Sequence, residues 1–226
     1  MKPRRFVVGD IHGCARTFRR LVTEVIRLRP GDELYLLGDL LDRGPDSKGV
    51  LDFIFELRAQ GYFVMSVRGN HEEMCLQAGN DLSYLELWLA NGGLATLNSF
   101  AAEAPGEIPH KYRFFLSCLP YYLLLDDFVI VHAALNFDRA DPFEDQETMI
   151  WQRECSVDCS RIGGRRIING HTAISRSRLE ASLGSDRIML DNGCVFVGRA
   201  GLGSLAALEL NTMTISYQAN IDIDVG

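Results

Sequence analysis

Short apolar runs of strand character alternate with stripes at helical spacing along the first third of the chain, and each run stops abruptly at a polar cluster. Phe6-Val7-Val8 reads as a strand, and Phe18, Leu21, Val22, Val25 and Leu28 then recur at helical spacing until Pro30-Gly31 stops them. Leu34-Tyr35-Leu36-Leu37 makes a second strand. Pro45 can open a helix at its first turn, along which Val50, Phe53, Ile54 and Leu57 face inward before Gly61 closes it. Phe63-Val64-Met65-Ser66-Val67 repeats the strand.

Residues 71 to about 119 read as mostly helical, with Leu82, Leu85, Trp88 and Leu89 forming one apolar stripe and Phe114, Phe115, Cys118 and Leu119 another. At that spacing Trp88 is expected to pack in the core. After Pro120 the pattern returns to strands: Tyr121 to Leu125 and Phe128 to Val131 flank an Asp126-Asp127 turn, and further strands are expected at Arg166 to Ile168, Arg187 to Leu190, Leu205 to Leu210 and Thr212 to Tyr217. Early βα units followed by a strand-rich half predict an α/β architecture of two sheets packed face to face with helices outside.

With 226 residues the chain can bury one full core, so a single domain over 1–226 is the simplest organisation. Hydrophobic residues at 47% and charged residues at 23% exclude disordered, collagen-like and membrane classes, and the apolar stretches are too short to cross a bilayer. The net charge of −7 conceals a basic start, because residues 1–30 carry eight Lys or Arg against Asp10 and Glu24. That segment is read as a solvated helix face bearing Arg16, Arg19, Arg20 and Arg27, with no nucleic-acid partner. It is not read as a targeting peptide, since Phe6-Val7-Val8 runs straight into candidate site residues that cleavage would remove. Six cysteines without a secretion signal fit reduced thiols and a cytoplasmic location. Cys155 and Cys159 are the one close pair, and no second pair completes a zinc site.

The candidate chemistry lies just past the strands. Gly9-Asp10-Ile11-His12-Gly13, Gly38-Asp39-Leu40-Leu41-Asp42-Arg43-Gly44, Arg68-Gly69-Asn70-His71-Glu72, His132 and Gly170-His171 hold four of the five histidines; His110 alone lies outside and is expected to be solvated. In α/β folds the loops beyond the carboxyl ends of strands form the binding crevice. Asp10, His12, Asp39, Asn70, His132 and His171 offer six carboxylate, imidazole and amide donors, too many for one catalytic zinc and right for two divalent ions if Asp39 bridges. Two such ions serve phosphate ester hydrolysis.

The first three clusters resemble the signature motifs of the phosphoprotein phosphatase family of calcineurin-like metallophosphoesterases. His132 in Val131-His132-Ala133 and His171 in Asn169-Gly170-His171 resemble its two later histidine motifs, and the short chain resembles the bacterial and phage-type serine/threonine protein phosphatases. The resemblance implies a calcineurin-like β-sandwich flanked by helices. It also implies that Asp10, His12 and Asp39 hold one ion, and that Asp39, Asn70, His132 and His171 hold the other. His71 then resembles the histidine that protonates the leaving oxygen, and Asp42 the carboxylate that orients it. Arg43 and Arg68 would grip phosphate oxygens, with Arg153 in Trp151-Gln152-Arg153 as a third arginine. Asn91-Gly92-Gly93 and Asp191-Asn192-Gly193 are given shaping roles.

The expectation from these residues is a metal-dependent phosphomonoesterase acting on phosphorylated Ser or Thr of proteins, with Tyr as a wider option, by direct attack of a solvent oxygen. The alternative is a symmetrical diadenosine tetraphosphate hydrolase, and a second is a binding module without catalysis, which the presence of both His71 and Asp42 disfavours. Manganese is the ion that the resemblance implies, with iron or zinc also compatible with the donors. Oligomeric state is not legible in the sequence.

Overall fold

Side chains alternate across a strand, so a four-residue strand buried on both faces must be apolar at every position. Phe6-Val7-Val8 and Leu34-Tyr35-Leu36 meet that condition, and the computed structural model, which describes residues 3–224, uses both faces of each. The elements run β1 (Arg5–Val8), α1 (Ala15–Arg20), β2 (Glu33–Leu36), α2 (Ser47–Ala59), β3 (Phe63–Ser66), α3 (Asn70–Gln77), α4 (Leu82–Ala90), α5 (Gly93–Phe100) and α6 (His110–Ser117). There follow β4 (Tyr122–Leu124), β5 (Phe128–Val131), α7 (Gln146–Trp151), β6 (Arg166–Asn169), α8 (Arg176–Ser182), β7 (Arg187–Met189), β8 (Ser204–Glu209) and β9 (Thr214–Ala219).

One sheet has the order β3-β2-β1-β8-β9 and the other β4-β5-β6-β7. Strands β1, β2 and β3 are mutually parallel, as are β5, β6 and β7. Val7, Tyr35, Ala206 and Leu208 point between the sheets onto Ile130, Ile168 and Ile188. The intervening residues Phe6, Val8, Leu34 and Leu36 point outward onto Phe18 and Leu21 and onto Val50, Phe53 and Ile54 of α2. Val129, Val131 and Ile167 cover the far face of the second sheet with Met149 and Ile150 of α7. Each such side chain contributes about 1.5–3 kcal/mol when taken from water. The result is the expected sandwich with helices outside.

Several local expectations shift. The first helix does not run unbroken to Pro30: after Arg20 it becomes a π-helical turn over Leu21–Val25, where Ile26 N–H donates to Leu21 C=O five residues back. The wider turn rotates the apolar face, so Val25 is left exposed and Ile26 is buried. Pro45 precedes α2 rather than opening its first turn; Asp46 is the N-cap, its carboxylate accepting from Gly49 N–H at 2.7 Å. In α4 the stripe is not a core face, because Leu82 is 71% exposed while Trp88 is fully buried. Phe114 of α6 is likewise exposed, and Tyr112, Phe115 and Leu116 make its buried side. The last strand begins at Thr214 and extends to Ala219.

Arg16, Arg19, Arg20 and Arg27 are exposed, Arg19 pairing with Glu56 at 2.7 Å and Arg20 with Glu24 at 3.0 Å. All six cysteines are free thiols. No helix among the described residues is long and apolar enough to cross a membrane.

Candidate active site

The loops leaving β1, β2, β3, β5 and β6 converge at the carboxyl ends of these parallel strands. Turning so sharply requires backbone that L-residues rarely adopt: His12, Asp39, Asp42, Arg43 and His171 all have φ between 47° and 70°. Such residues cost on the order of 1–3 kcal/mol each and persist where surrounding contacts hold them.

Three imidazoles are fixed by backbone carbonyls. His12 Nδ1–H donates to Leu41 C=O at 2.9 Å, His132 Nδ1–H to Leu37 C=O at 2.7 Å, and His171 Nε2–H to Trp151 C=O at 3.1 Å. A carbonyl only accepts, so each ring carries its proton there and turns the other nitrogen's lone pair into the pocket. Burial lowers the pKa of all three, aided by neighbouring cationic charge; His171 is pulled down to about 3. Neutral imidazole is the form that binds metal.

Arg43 Nη1 donates to the His12 lone pair at 2.7 Å, whereas the lone pairs of His132 and His171 face further acceptors. Asn70 Oδ1 lies 3.1 Å from His132 Nε2 and 3.0 Å from His171 Nδ1, and those two nitrogens are 3.1 Å apart. Asp39 Oδ1 sits 3.4 Å from His132 Nε2, while its Oδ2 sits 3.5 Å from His12 Nε2. The two carboxylate oxygens thus face two different donor groups. Lone pairs packed this closely without a shared proton repel one another, and a cation resolves the arrangement. Imidazole, carboxylate and amide oxygen without thiolate suit a divalent ion of intermediate hardness.

Asp10 completes the acidic side. Its Oδ2 accepts from His171 N–H at 2.9 Å, and its Oδ1 is buried with no partner. Burial, then Asp191 and Asp39, push the Asp10 carboxyl well above the usual range, and Asp191 rises to about 6. Arg43 offsets part of the charge of these three carboxylates, yet Asp10 and Asp191 stay raised, so the pocket calls for further positive charge. Gly170 is obligatory here, since a Cβ on it would collide with Asp10 Oδ1.

His71 differs from the other imidazoles. Burial works against its charge, yet Asp39 and the hydrogen-bonded Asp42 outweigh it and raise its pKa. Its Nδ1–H donates to Asp42 Oδ2 at 2.7 Å, and its Nε2, buried and unpartnered, lies 3.9 Å from Asp39 Oδ2. Arg43, exposed at the mouth, donates through Nη1 to His12 Nε2 at 2.7 Å. Arg153 is exposed, and its charge lowers the His171 pKa. Arg68 is placed otherwise than expected: Nη1 donates to Glu73 Oε2 at 2.7 Å and to Tyr121 Oη at 3.2 Å, and Nη2 donates to Ser117 C=O at 2.7 Å. Its guanidinium ties α3 to α6 instead of reaching for phosphate.

Two contributions escaped the sequence reading. Glu72 is fully buried and accepts three backbone N–H groups, from Gly69 at 2.8 Å, Asp39 at 2.9 Å and Leu40 at 2.8 Å, so one carboxylate locks the Asp39 turn to the start of α3. A Glu three residues into a helix is a capping-box signal, which accounts for Gly69 but not for the distant loop. The second is the support of Asp42, whose carboxylate accepts from Trp88 Nε1–H and from Thr96 Oγ1–H.

A sandwich with such donors at its strand ends is the framework of a metallophosphoesterase. The sequence model of the family "Calcineurin-like phosphoesterase" matches residues 3–175, and the chain belongs to that family. It is therefore a phosphoric ester hydrolase, of a family that uses a dinuclear divalent metal centre. Among its relatives, serine/threonine-protein phosphatase 1 of Salmonella typhimurium is 32% identical over 216 residues, covering 88% of this chain and 91% of that one. The asymmetrical bis(5'-nucleosyl)-tetraphosphatase PrpE of Geobacillus thermodenitrificans is 27% identical over 238 residues, covering 92% of each. A crystal structure provisionally described as a diadenosine tetraphosphatase superposes with a TM-score of 0.70 at 23% identity, over 99% of this chain and 96% of the other, which bears on the fold alone.

Proposed function

We propose that the protein is a protein phosphatase that hydrolyses phosphorylated Ser and Thr, with Tyr within its range, working as one domain in the cytoplasm. The observation that carries the chemistry is the convergence of unprotonated donors on both oxygens of Asp39, beside the His71 imidazole, whose pKa Asp39 and Asp42 raise and whose unpartnered Nε2 faces the same space. Asp10, His12 and Asp39 would hold one ion, and Asp39, Asn70, His132 and His171 the other. Two divalent cations, taken to be Mn²⁺ on the family resemblance, would supply when bound a water of lowered pKa and charge neutralisation at phosphorus.

The chain's own residues do the rest. Arg43 neutralises phosphate oxygens at the mouth, and Arg153 assists from the His171 side. A solvent oxygen attacks phosphorus, the bond from phosphorus to the leaving oxygen breaks, and His71 Nε2–H delivers its proton to that oxygen. Asp42 keeps the ring charged and aimed. Arg68 has no part in this reading. A protein substrate is favoured by the relative with 32% identity across 88% of the chain, and the six free thiols fit a reducing compartment.

His71→Asn tests the assignment of the acid. It should lower kcat about 10²- to 10⁴-fold, the range of a placed general acid, while metal content stays at wild-type level; unchanged turnover would refute it. Substrate class is tested by turnover on phosphopeptides and diadenosine tetraphosphate side by side with Mn²⁺. Release of phosphate from the peptides should dominate. Faster cleavage of the dinucleotide to ADP alone would favour the symmetrical hydrolase, supported by the 45% identity over 67 residues to such an enzyme of Nitrosospira multiformis, whereas ATP with AMP would point to the asymmetrical cleavage of the 27% identical relative.

A further inference from the structure

Helix α4 buries one residue fully, and it is Trp88. On the expected stripe Leu82 is 71% and Leu89 40% exposed, Leu85 is only partly buried against the core, and Leu87 beside Trp88 is 40% exposed. A helix that packed for hydrophobic gain would bury those leucines. Instead its indole reaches the Asp42 carboxylate, with Nε1–H donating to Oδ2 at 2.9 Å and Oδ1 at 3.0 Å.

Asp42 is completely buried, and a buried carboxylate needs donors around it. His71 Nδ1 supplies one, on Oδ2 at 2.7 Å. The others come from the helical segment between β3 and β4: Trp88 of α4, and Thr96 of α5, whose Oγ1–H donates to Oδ1 at 2.6 Å. Because the Thr96 proton is committed there, Ser47 Oγ–H is the donor in its 2.8 Å contact with Thr96 Oγ1. Asp42 N–H points back at both hydroxyls, 3.0 Å from each. The carboxylate is held from three sides, and rotation about its terminal bond would break contacts with Trp88 and Thr96 together with the one to His71.

The turn between the two helices is shaped for this. A Cβ on Gly93 would collide with the Trp88 indole, and Gly92 C=O accepts from Arg43 N–H at 3.3 Å. Asn91-Gly92-Gly93 therefore seats Trp88 against Asp42 and holds the backbone of Arg43 in one stroke.

We infer that Trp88 and Thr96 are positioning residues for proton donation, holding Asp42 so that His71 is aimed at the leaving oxygen. The inference rests on the proposed role of His71 as the acid. Its signature is dependence on the leaving group, since a poor one such as phenoxide needs the proton and a good one such as para-nitrophenoxide scarcely does. A merely structural role would slow both substrates alike.

The experiment measures kcat for phenyl phosphate and para-nitrophenyl phosphate in wild type, His71→Asn, Trp88→Phe, Thr96→Val and Thr96→Ser, with bound metal determined for each. Trp88→Phe and Thr96→Val should lose about tenfold or more on phenyl phosphate beyond their loss on the nitrophenyl ester, a part of the general-acid contribution. Thr96→Ser, which restores the hydroxyl, should recover the wild-type ratio. If Trp88→Phe does not fold, the Thr96 pair decides. Equal losses on both esters, or none, with a selective loss in His71→Asn, would overturn the positioning role and leave the acid assignment standing. No selective loss in His71→Asn would overturn both.

Discussion

Glu72→Gln exchanges one oxygen for an amide group and should unbalance two loops at once. The native carboxylate offers Oε2 to the N–H groups of Gly69 and Asp39 and Oε1 to that of Leu40, all at 2.8 to 2.9 Å. Glutamine has one oxygen. Turned to keep Gly69 and Asp39, it presents an NH₂ to Leu40 N–H, donor against donor. Hydrogen bonds to a charged acceptor contribute about 1.5–3 kcal/mol and those to a neutral one about 0.5–1.5 kcal/mol. One bond lost and two weakened amount to about 3 kcal/mol, and at about 2–4 °C per kcal/mol for a chain of this size Tm should fall by about 6–12 °C.

An opposing effect sets the conditions. Burial and the nearby Asp39 push Glu72 up to about 7, so without a cation the neutral amide also relieves repulsion. With Mn²⁺ bound, the Asp39 charge is balanced and that relief disappears. Thermal unfolding followed by circular dichroism in Mn²⁺ and in EDTA should therefore show the larger drop in Mn²⁺, together with weaker Mn²⁺ binding. A variant as stable as wild type in Mn²⁺, or one that loses more in EDTA, would show that Glu72 does not hold the Asp39 turn as described.

Three further outcomes follow from contacts elsewhere. Arg68→Met, which removes a partly buried pair with Glu73, should cost about 2 kcal/mol in urea unfolding and leave KM for phosphate esters nearly unchanged; a large rise in KM without loss of stability would restore the phosphate-binding expectation. Gly170→Ala should displace Asp10 and weaken metal binding measured by calorimetry, and wild-type affinity would contradict the close approach. Asp32 is held below the usual carboxylate range: burial raises it, but hydrogen bonds from Arg4 and from Arg29 N–H prevail. A depressed folded pKa gives stability that is present above the unfolded value near 3.9 and is lost as pH falls below it. Asp32→Asn should accordingly be less stable than wild type at neutral pH and converge with it in acid; a gap that widened below pH 4 would reverse the sign.

What the sequence made legible divides along physical lines. Parallel strands buried on both faces leave unbroken apolar runs, so β1, β2 and β5 are legible, and the edge strand β3 is legible from Phe63 to Met65 although Phe63 is exposed; the donors just beyond them lie at strand ends, where loops may diverge without disturbing a core. Period alone could not show that α4 buries only Trp88 fully, with Leu85 partly covered and Leu82 and Leu89 exposed, nor foresee the π turn that exchanges Val25 for Ile26. The anchoring of Arg68 is not legible in its motif, because its partners Tyr121 and Ser117 lie about fifty residues away in the chain. Glu72 and Thr96 were overlooked for the same reason: what each supports, the turn at Asp39 and the carboxylate of Asp42, lies more than thirty residues away in the chain. The candidate site groups sit in short contiguous motifs, whereas Glu72, Trp88 and Thr96, which hold them, come from helices between β3 and β4 far from Asp39 and Asp42 in the chain, so sequence patterns favour the former and coordinates expose the latter.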